Sequence, residues 1–189
     1  MTATLVYLTG ASGSGKDSLL GYARHHLAAE PGVAFAHRYI TRTADAGGEN
    51  HVALSPREFE ARLAARLFAL HWRSHGFAYA IGVEIDQWLA RGVTVVVNGS
   101  RDYLAQARRR YPAQLLPVRI EVSADCLRQR LLARGRENAA QIEDRLARHH
   151  RLQAEPFDGM VIRNDERLEQ AGETLVTLIR RHSGRVPCG

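Results

Sequence analysis

Gly10-Ala11-Ser12-Gly13-Ser14-Gly15-Lys16-Asp17-Ser18 is the stretch on which the reading of this chain turns. Its glycines let backbone N–H groups close around an anion, and a lysine at this spacing reaches the β- and γ-phosphates of a nucleotide. Lys16 is the only lysine in the chain, and the other 25 basic residues are arginine. A single retained ammonium marks a place where a compact point charge on a flexible stem is needed. Thr4-Leu5-Val6-Tyr7-Leu8-Thr9 upstream is a short β-rich apolar run, and Ser18-Leu19-Leu20-Gly21-Tyr22-Ala23 downstream has helical spacing. Strand, glycine loop and helix N-terminus in that order place a helix dipole behind bound phosphate. Gly10, Ala11, Ser12, Gly13, Ser14, Gly15, Lys16, Asp17 and Ser18 are therefore expected to bind a nucleotide. The residue after the lysine is usually Ser or Thr holding Mg²⁺; here Asp17 stands there. Its carboxylate is a metal ligand, directly or through water, or it faces away as a first-turn acid while Ser18 supplies the hydroxyl.

Working outward, apolar β-rich runs alternate with helical patterns, which predicts an α/β fold with a parallel sheet covered by helices on both faces. Core strands are expected at 4–9, 36–41, 93–98, 117–122 and 159–163. Helices are expected near 16–29, 84–91, 102–111, 124–134, 139–153 and 166–182. Ser55-Pro56-Arg57-Glu58 reads as a capping box opening a helix through about Ala65, and Ser123 as the cap of 124–134. Residues 43–82, with a Gly47-Gly48 turn and short strands near 50–54, 67–72 and 77–81, read as a small antiparallel insertion. Arg128–Arg151 carries seven arginines against Glu137, Glu143 and Asp144. The 189 residues give one domain: core 1–42, 83–127 and 154–182, insertion 43–82, lid 128–153, and a flexible tail at 183–189.

Composition narrows the function. With 24% charged and 45% hydrophobic residues the chain is an ordinary globular protein, and no stretch is long and apolar enough to span a bilayer. Cys126 and Cys188 have neither metal spacing nor a disulfide framework, so a cytoplasmic location is expected. The net charge of +6 is spread along the chain and mixed with acids, with no nucleic-acid-binding motif beside it; it suits an enzyme of phosphorylated small molecules better. His71 and His75 lack the glutamate of a zinc-protease helix, and the pairs His25-His26 and His149-His150 cannot both face one site, so no zinc centre is expected. His37 reads as a satisfied sheet histidine, and Glu84 and Asp86 as early-turn helix acids, with ribose or magnesium binding as the alternative. Oligomeric state is left open.

Along nearly its whole length the chain resembles the guanylate kinase group of P-loop kinases. Tyr39-Ile40-Thr41-Arg42 is similar to that group's grip on the acceptor phosphate, and Gly48-Glu49-Asn50-His51-Val52-Ala53-Leu54-Ser55 to its glycine, acid-aromatic pair and capped helix. Gly76-Phe77-Ala78-Tyr79-Ala80 is similar to its phosphate-contacting tyrosine loop, and Arg130-Leu131-Leu132-Ala133-Arg134-Gly135 with Arg145-Leu146 to its lid. The resemblance implies a P-loop NTPase, guanylate kinase-like three-layer α/β/α fold. It further implies ATP and Mg²⁺, lid arginines Arg134 and Arg145 closing over the transferring phosphoryl group beside Lys16, and Asn164 near the donor base.

The departures carry as much information. The guanine-reading glutamate falls near Leu70, which cannot hydrogen-bond a base edge, and the third core strand runs into Asn98-Gly99-Ser100-Arg101 instead of an acid. A site stripped of its base-reading groups loses that recognition. Together with Gly82-Val83-Glu84-Ile85-Asp86 and Arg134-Gly135-Arg136-Glu137-Asn138, the chain resembles the ribose 1,5-bisphosphate phosphokinase branch of phosphonate utilisation. The resemblance implies a sugar bisphosphate as acceptor and 5-phosphoribosyl 1-diphosphate as product, with no nucleic-acid or membrane partner. Arg42 and Tyr79 are assigned to the accepting 1-phosphate, Arg101 or Arg38 to the 5-phosphate, and Asn98, Asn50 and His51 to ribose hydroxyls. A nucleoside monophosphate kinase and a non-catalytic guanylate kinase-like interaction module are the alternatives.

Overall fold

The computed structural model describes residues 3–43, 51–74, 76–135 and 138–183. The Gly47-Gly48 turn, Asn50, His75 and residues 184–189 of the expected tail lie outside them. Among the described residues, nine strands and seven helices alternate. They are β1 (Leu5–Gly10), α1 (Lys16–His26), β2 (Val33–Phe35), β3 (Arg38–Ile40), β4 (Val52–Ala53), α2 (Pro56–Ala64), β5 (Phe68–Ser74) and β6 (Phe77–Gly82). After these come α3 (Glu84–Ala90), β7 (Thr94–Asn98), α4 (Leu104–Arg110), β8 (Leu115–Glu121), α5 (Ala124–Arg134), α6 (Ala139–Ala154), β9 (Met160–Arg163) and α7 (Leu168–His182).

The core sheet has the order β2-β7-β1-β8-β9 and every pairing in it is parallel. Strands buried on both faces need apolar residues on both, and β1 obeys: Leu5 and Tyr7 join one core, Val6 and Leu8 the other. The second core is roofed by α1 and α7 through Leu19, Ala23, Leu175, Val176 and Ile179. Gly172 is required at that crossing, because a side chain there would enter the Tyr22 ring.

A second sheet, β4-β3-β6-β5, covers its own small core of Leu54, Phe59, Phe68, Ala78 and Ala80. Two expectations change here. The core-sheet strand expected at 36–41 lies earlier, as β2, which ends at Phe35; the strand within 36–41 is β3, which starts a new sheet, pairing antiparallel with β6. Buried Ala36 and half-buried His37 form the step between the two sheets, so residues 38–40 align with the insertion and not with the core. The insertion is also mixed, since β3 and β4 run parallel. The expected capping box at Ser55 is half present. Ser55 Oγ accepts from the Glu58 N–H at 3.1 Å, while the Glu58 carboxylate pairs with Arg62 at 2.6 Å. Ser123 caps α5 as expected, accepting from the Cys126 N–H.

The arginine-rich stretch folds as the helical hairpin α5–α6. Its base is a dry cluster of Val122, Leu127, Leu131, Ile142 and Leu146, all under 5% exposed. Each such side chain contributes about 1.5–3 kcal/mol relative to exposure, so the base is firm.

Candidate active site

The glycine loop joins β1 to α1 at the C-terminal edge of the parallel sheet, where open α/β sheets bind ligands. Gly13 and Gly15 have φ of 92° and 86°, the left-handed region that a side chain disfavours. Space enforces the choice as well: a Cβ on Gly13 would sit 2.9 Å from Leu127 Cδ1, and one on Gly15 would strike the Asn164 amide. No side chain caps α1, so its first N–H groups face the loop's interior. Lys16 Nζ donates to the carbonyls of Gly10 at 2.9 Å and Ala11 at 3.3 Å. Burial lowers the Lys16 pKa to about 8; Asp17 opposes the shift, and Arg38 and Arg101 add to it. Cationic charge from these two guanidiniums acts on the ammonium, which favours an incoming polyanion.

Asn164 is 3% exposed and donates its amide N–H to the Ser14 carbonyl at 2.8 Å. It braces the loop at Ser14. Arg130, which the sequence reading left without a role, completes the brace by donating to the carbonyls of Asn164 at 2.7 Å and Ser14 at 3.4 Å. Its spacing of four from Arg134 was the available signal, since two such residues on one helix share a face. Of the two lid arginines, Arg145 reaches the loop, donating to Ser12 Oγ at 3.0 Å. Arg134 is exposed in the last turn of α5.

On the acceptor side, Arg38 lies over the Tyr79 ring, 5.2 Å from its centroid, and Tyr79 stacks on Trp72. Burial lowers the Arg38 pKa to about 10, with Asp17 and Tyr79 opposing the shift and Arg42 adding to it. Arg42 Nε is buried without a partner, and its carbonyl meets His51 Nε2 at 3.3 Å. Leu70 is 7% exposed in the same apolar core as Trp72 and Tyr79, where no polar group reads a base edge.

Asn98 donates to Asp17 Oδ1 at 2.9 Å, while its own Oδ1 is buried without a partner. The segment after it is fixed by Tyr7, which was not singled out in the sequence. Tyr7 Oη donates to the Ser100 carbonyl and accepts from the Ser100 N–H, both at 2.9 Å. Gly99 lets the ring through, because a Cβ there would overlap it. Burial raises the Tyr7 pKa well above the usual phenol range, so this pin stays protonated. Asp86 is absorbed elsewhere, paired with Arg110 and with Tyr111 Oη, each at 2.6 Å. His149, buried, meets the Val122 carbonyl at 2.9 Å, a packing role on the lid helix. Among the described residues, no three His, Cys, Asp or Glu side chains converge as a metal site.

Comparison with known proteins places this geometry. No family model matches the chain. It is 56% identical over 175 residues to the ribose 1,5-bisphosphate phosphokinase PhnN of Thiobacillus denitrificans, covering 93% of this chain and 92% of that protein. The chain belongs to the ribose 1,5-bisphosphate phosphokinase family. The family's member from Desulfomicrobium baculatum is 57% identical over 175 residues, with 93% of both proteins covered. The member from Chromobacterium violaceum is 54% identical over 187 residues, covering 99% of this chain and 98% of that protein. Among solved structures, the guanylate kinase of Anaplasma phagocytophilum superimposes with a TM-score of 0.69 at 15% identity, over 97% of this chain and 88% of that one. The likeness shows the guanylate kinase-like α/β fold. No helix among the described residues is long and apolar enough to cross a membrane.

Proposed function

We propose that this kinase transfers the γ-phosphoryl group of ATP to the 1-phosphate of ribose 1,5-bisphosphate, releasing ADP and 5-phosphoribosyl 1-diphosphate, in phosphonate breakdown in the cytoplasm. The observation that carries the reading is a glycine loop with a buried Lys16 together with Arg38 over the Tyr79 ring and the buried, unpartnered Nε atoms of Arg42 and Arg101 among the described residues, with an apolar side chain at Leu70. Such a cleft suits two polyanions.

The attacking atom is an oxygen of the 1-phosphate, anionic at neutral pH, so no strong general base is required. It forms the new bond to the γ-phosphorus as the bond to the β–γ bridging oxygen breaks, and that oxygen leaves with ADP. Catalysis reduces to alignment and charge neutralisation. Lys16 and the loop amides hold the β- and γ-phosphates. Arg42 and Tyr79 orient the accepting phosphate, with Arg38 over the Tyr79 ring, while Asn98 and His51 take the ribose hydroxyls. Arg145 and Arg134 approach from the lid as arginine fingers, a contribution worth about 10³–10⁵ in rate in related chemistry. The Asp17 carboxylate, Ser18 hydroxyl and orphaned Asn98 Oδ1 suit a Mg²⁺ that keeps most of its ligands as water and phosphate. Mg²⁺ supplies neutralisation of the triphosphate. The lid excludes water, so ATP hydrolysis without acceptor is slow.

An ADP-release assay with ribose 1,5-bisphosphate, GMP and AMP tests the reading. Turnover with the sugar bisphosphate alone is expected. Preference for either nucleotide, or rapid ADP release with no acceptor present, would refute it.

A further inference from the structure

A second arginine group gathers beneath the lid. Arg119, on β8, pairs with Glu121 at 2.6 Å, donates to the Glu155 carbonyl and lies 4.5 Å over the Phe157 ring, although its Nε, like that of Arg101, is buried with no partner among the described residues. Arg101 and Arg148 have no such close carboxylate among the described residues. Arg101 Nε is buried with no acceptor among the described residues, a state that costs free energy until an oxygen reaches it. Arg148, on α6, donates to Asp102 at 3.5 Å, the outer limit of a hydrogen bond. Burial lowers the pKa of Arg101. Asp102 opposes that shift, Arg148 adds to it, Glu155 opposes it and Arg119 adds to it, so four charged groups act on this guanidinium. Arg145 and Arg148 are three apart on α6 and share a face, so the helix that touches the donor loop at Ser12 carries its next arginine toward Arg101.

The geometry points to a second anion site under the lid, formed by Arg101 and Arg148, that takes the distal phosphate of the acceptor. Asp102 holds Arg148 in the meantime and yields it to the phosphate, whose two oxygens suit the guanidinium fork better than one distant carboxylate. The inference rests on the phosphorylated-sugar reading above and assigns the 5-phosphate to Arg101 over Arg38. It adds a consequence: α6 settles fully only when the acceptor carries a phosphate at both ends, so monophosphates are selected against by the lid itself.

Calorimetric binding of ribose 5-phosphate and of ribose 1-phosphate, to the wild type, R148A and R148K, tests this without any turnover. The Arg148 side chain is 48% exposed, so its replacement leaves the core packing untouched. R148A is expected to weaken ribose 5-phosphate about ten-fold or more and to leave ribose 1-phosphate unchanged, as befits one lost charge-assisted contact. R148K restores part of the loss, keeping the charge but not the fork. Equal weakening of both ligands, no weakening of either, or a wild type that binds no ribose 5-phosphate would overturn the site. Absence of phosphoryl transfer to ribose 1,5-bisphosphate would instead count against the reaction and leave this binding result standing.

Discussion

The donor and acceptor halves of the cleft are built by opposite means. The donor loop is nine consecutive residues whose shape is set by backbone: glycines at positive φ, an uncapped helix end and one lysine. The acceptor half is assembled from side chains that the sequence scatters, with Arg38 on β3, Arg42 after it, Tyr79 on β6, and Arg101 after β7. A backbone device tolerates few changes and recognises what every nucleoside triphosphate shares. A side-chain device can be rebuilt residue by residue, and that is where specificity resides. Leu70 illustrates the point: in the proposed reading, an apolar residue in the second sheet stands where a base reader would be needed, apart from the residues of the phosphate grip.

The sharpest break between the halves comes from Lys16→Ala. It should lower kcat/KM by about 10³-fold or more for every acceptor, read by ADP release, because it removes transition-state charge stabilisation common to all. Arg42→Ala should act on one side only: the acceptor KM rises about 10–100-fold, as for a lost charge-assisted contact, while binding of a non-hydrolysable ATP analogue measured by calorimetry is unchanged.

Acidity separates the halves again. With Lys16 titrating at about 8 in the free protein, analogue affinity should be flat below that pH. Above it the affinity should fall by up to about ten-fold per pH unit, since only the ammonium form binds phosphate. Lys16→Arg, charged throughout, should give a flat profile. The sign for folding is the reverse. The unfolded lysine titrates at its ordinary higher value and binds more protons than the folded one between the two pKa values. Stability from this group therefore rises as pH increases across that window. The smallest effect is expected from Asn164→Ala, which removes the buried brace on Ser14. It should cost about 1–3 kcal/mol of stability in denaturant unfolding and weaken the ATP analogue, with acceptor affinity unchanged.

The same asymmetry decided what could be read from the chain. The loop, the parallel sheet and the cap at Ser123 are local patterns, and they stood out because each is specified by neighbouring residues. The place of the core strand at 33–35 and the transfer of 38–40 to the second sheet did not, because β-prone residues run from 33 to 41 and only tertiary pairing tells one sheet from the other. Tyr7 and the bracing contact of Asn164 were missed for a related reason. Their work is to hold backbone carbonyls and N–H groups of distant segments, and no spacing in the sequence announces a contact across 93 or 150 residues. Arginine content pointed to the polyanion. Which arginine meets which phosphate is a matter of where β3, β7 and α6 arrive in space.

The most direct measurement is phosphorus NMR of the product formed from ribose 1,5-bisphosphate and ATP. A head-to-head clamp predicts a pair of coupled diphosphate resonances for the phosphates on C1, with the 5-phosphate left as an unmodified monoester. A diphosphate on C5, or inorganic phosphate accumulating in place of a sugar diphosphate, would contradict it.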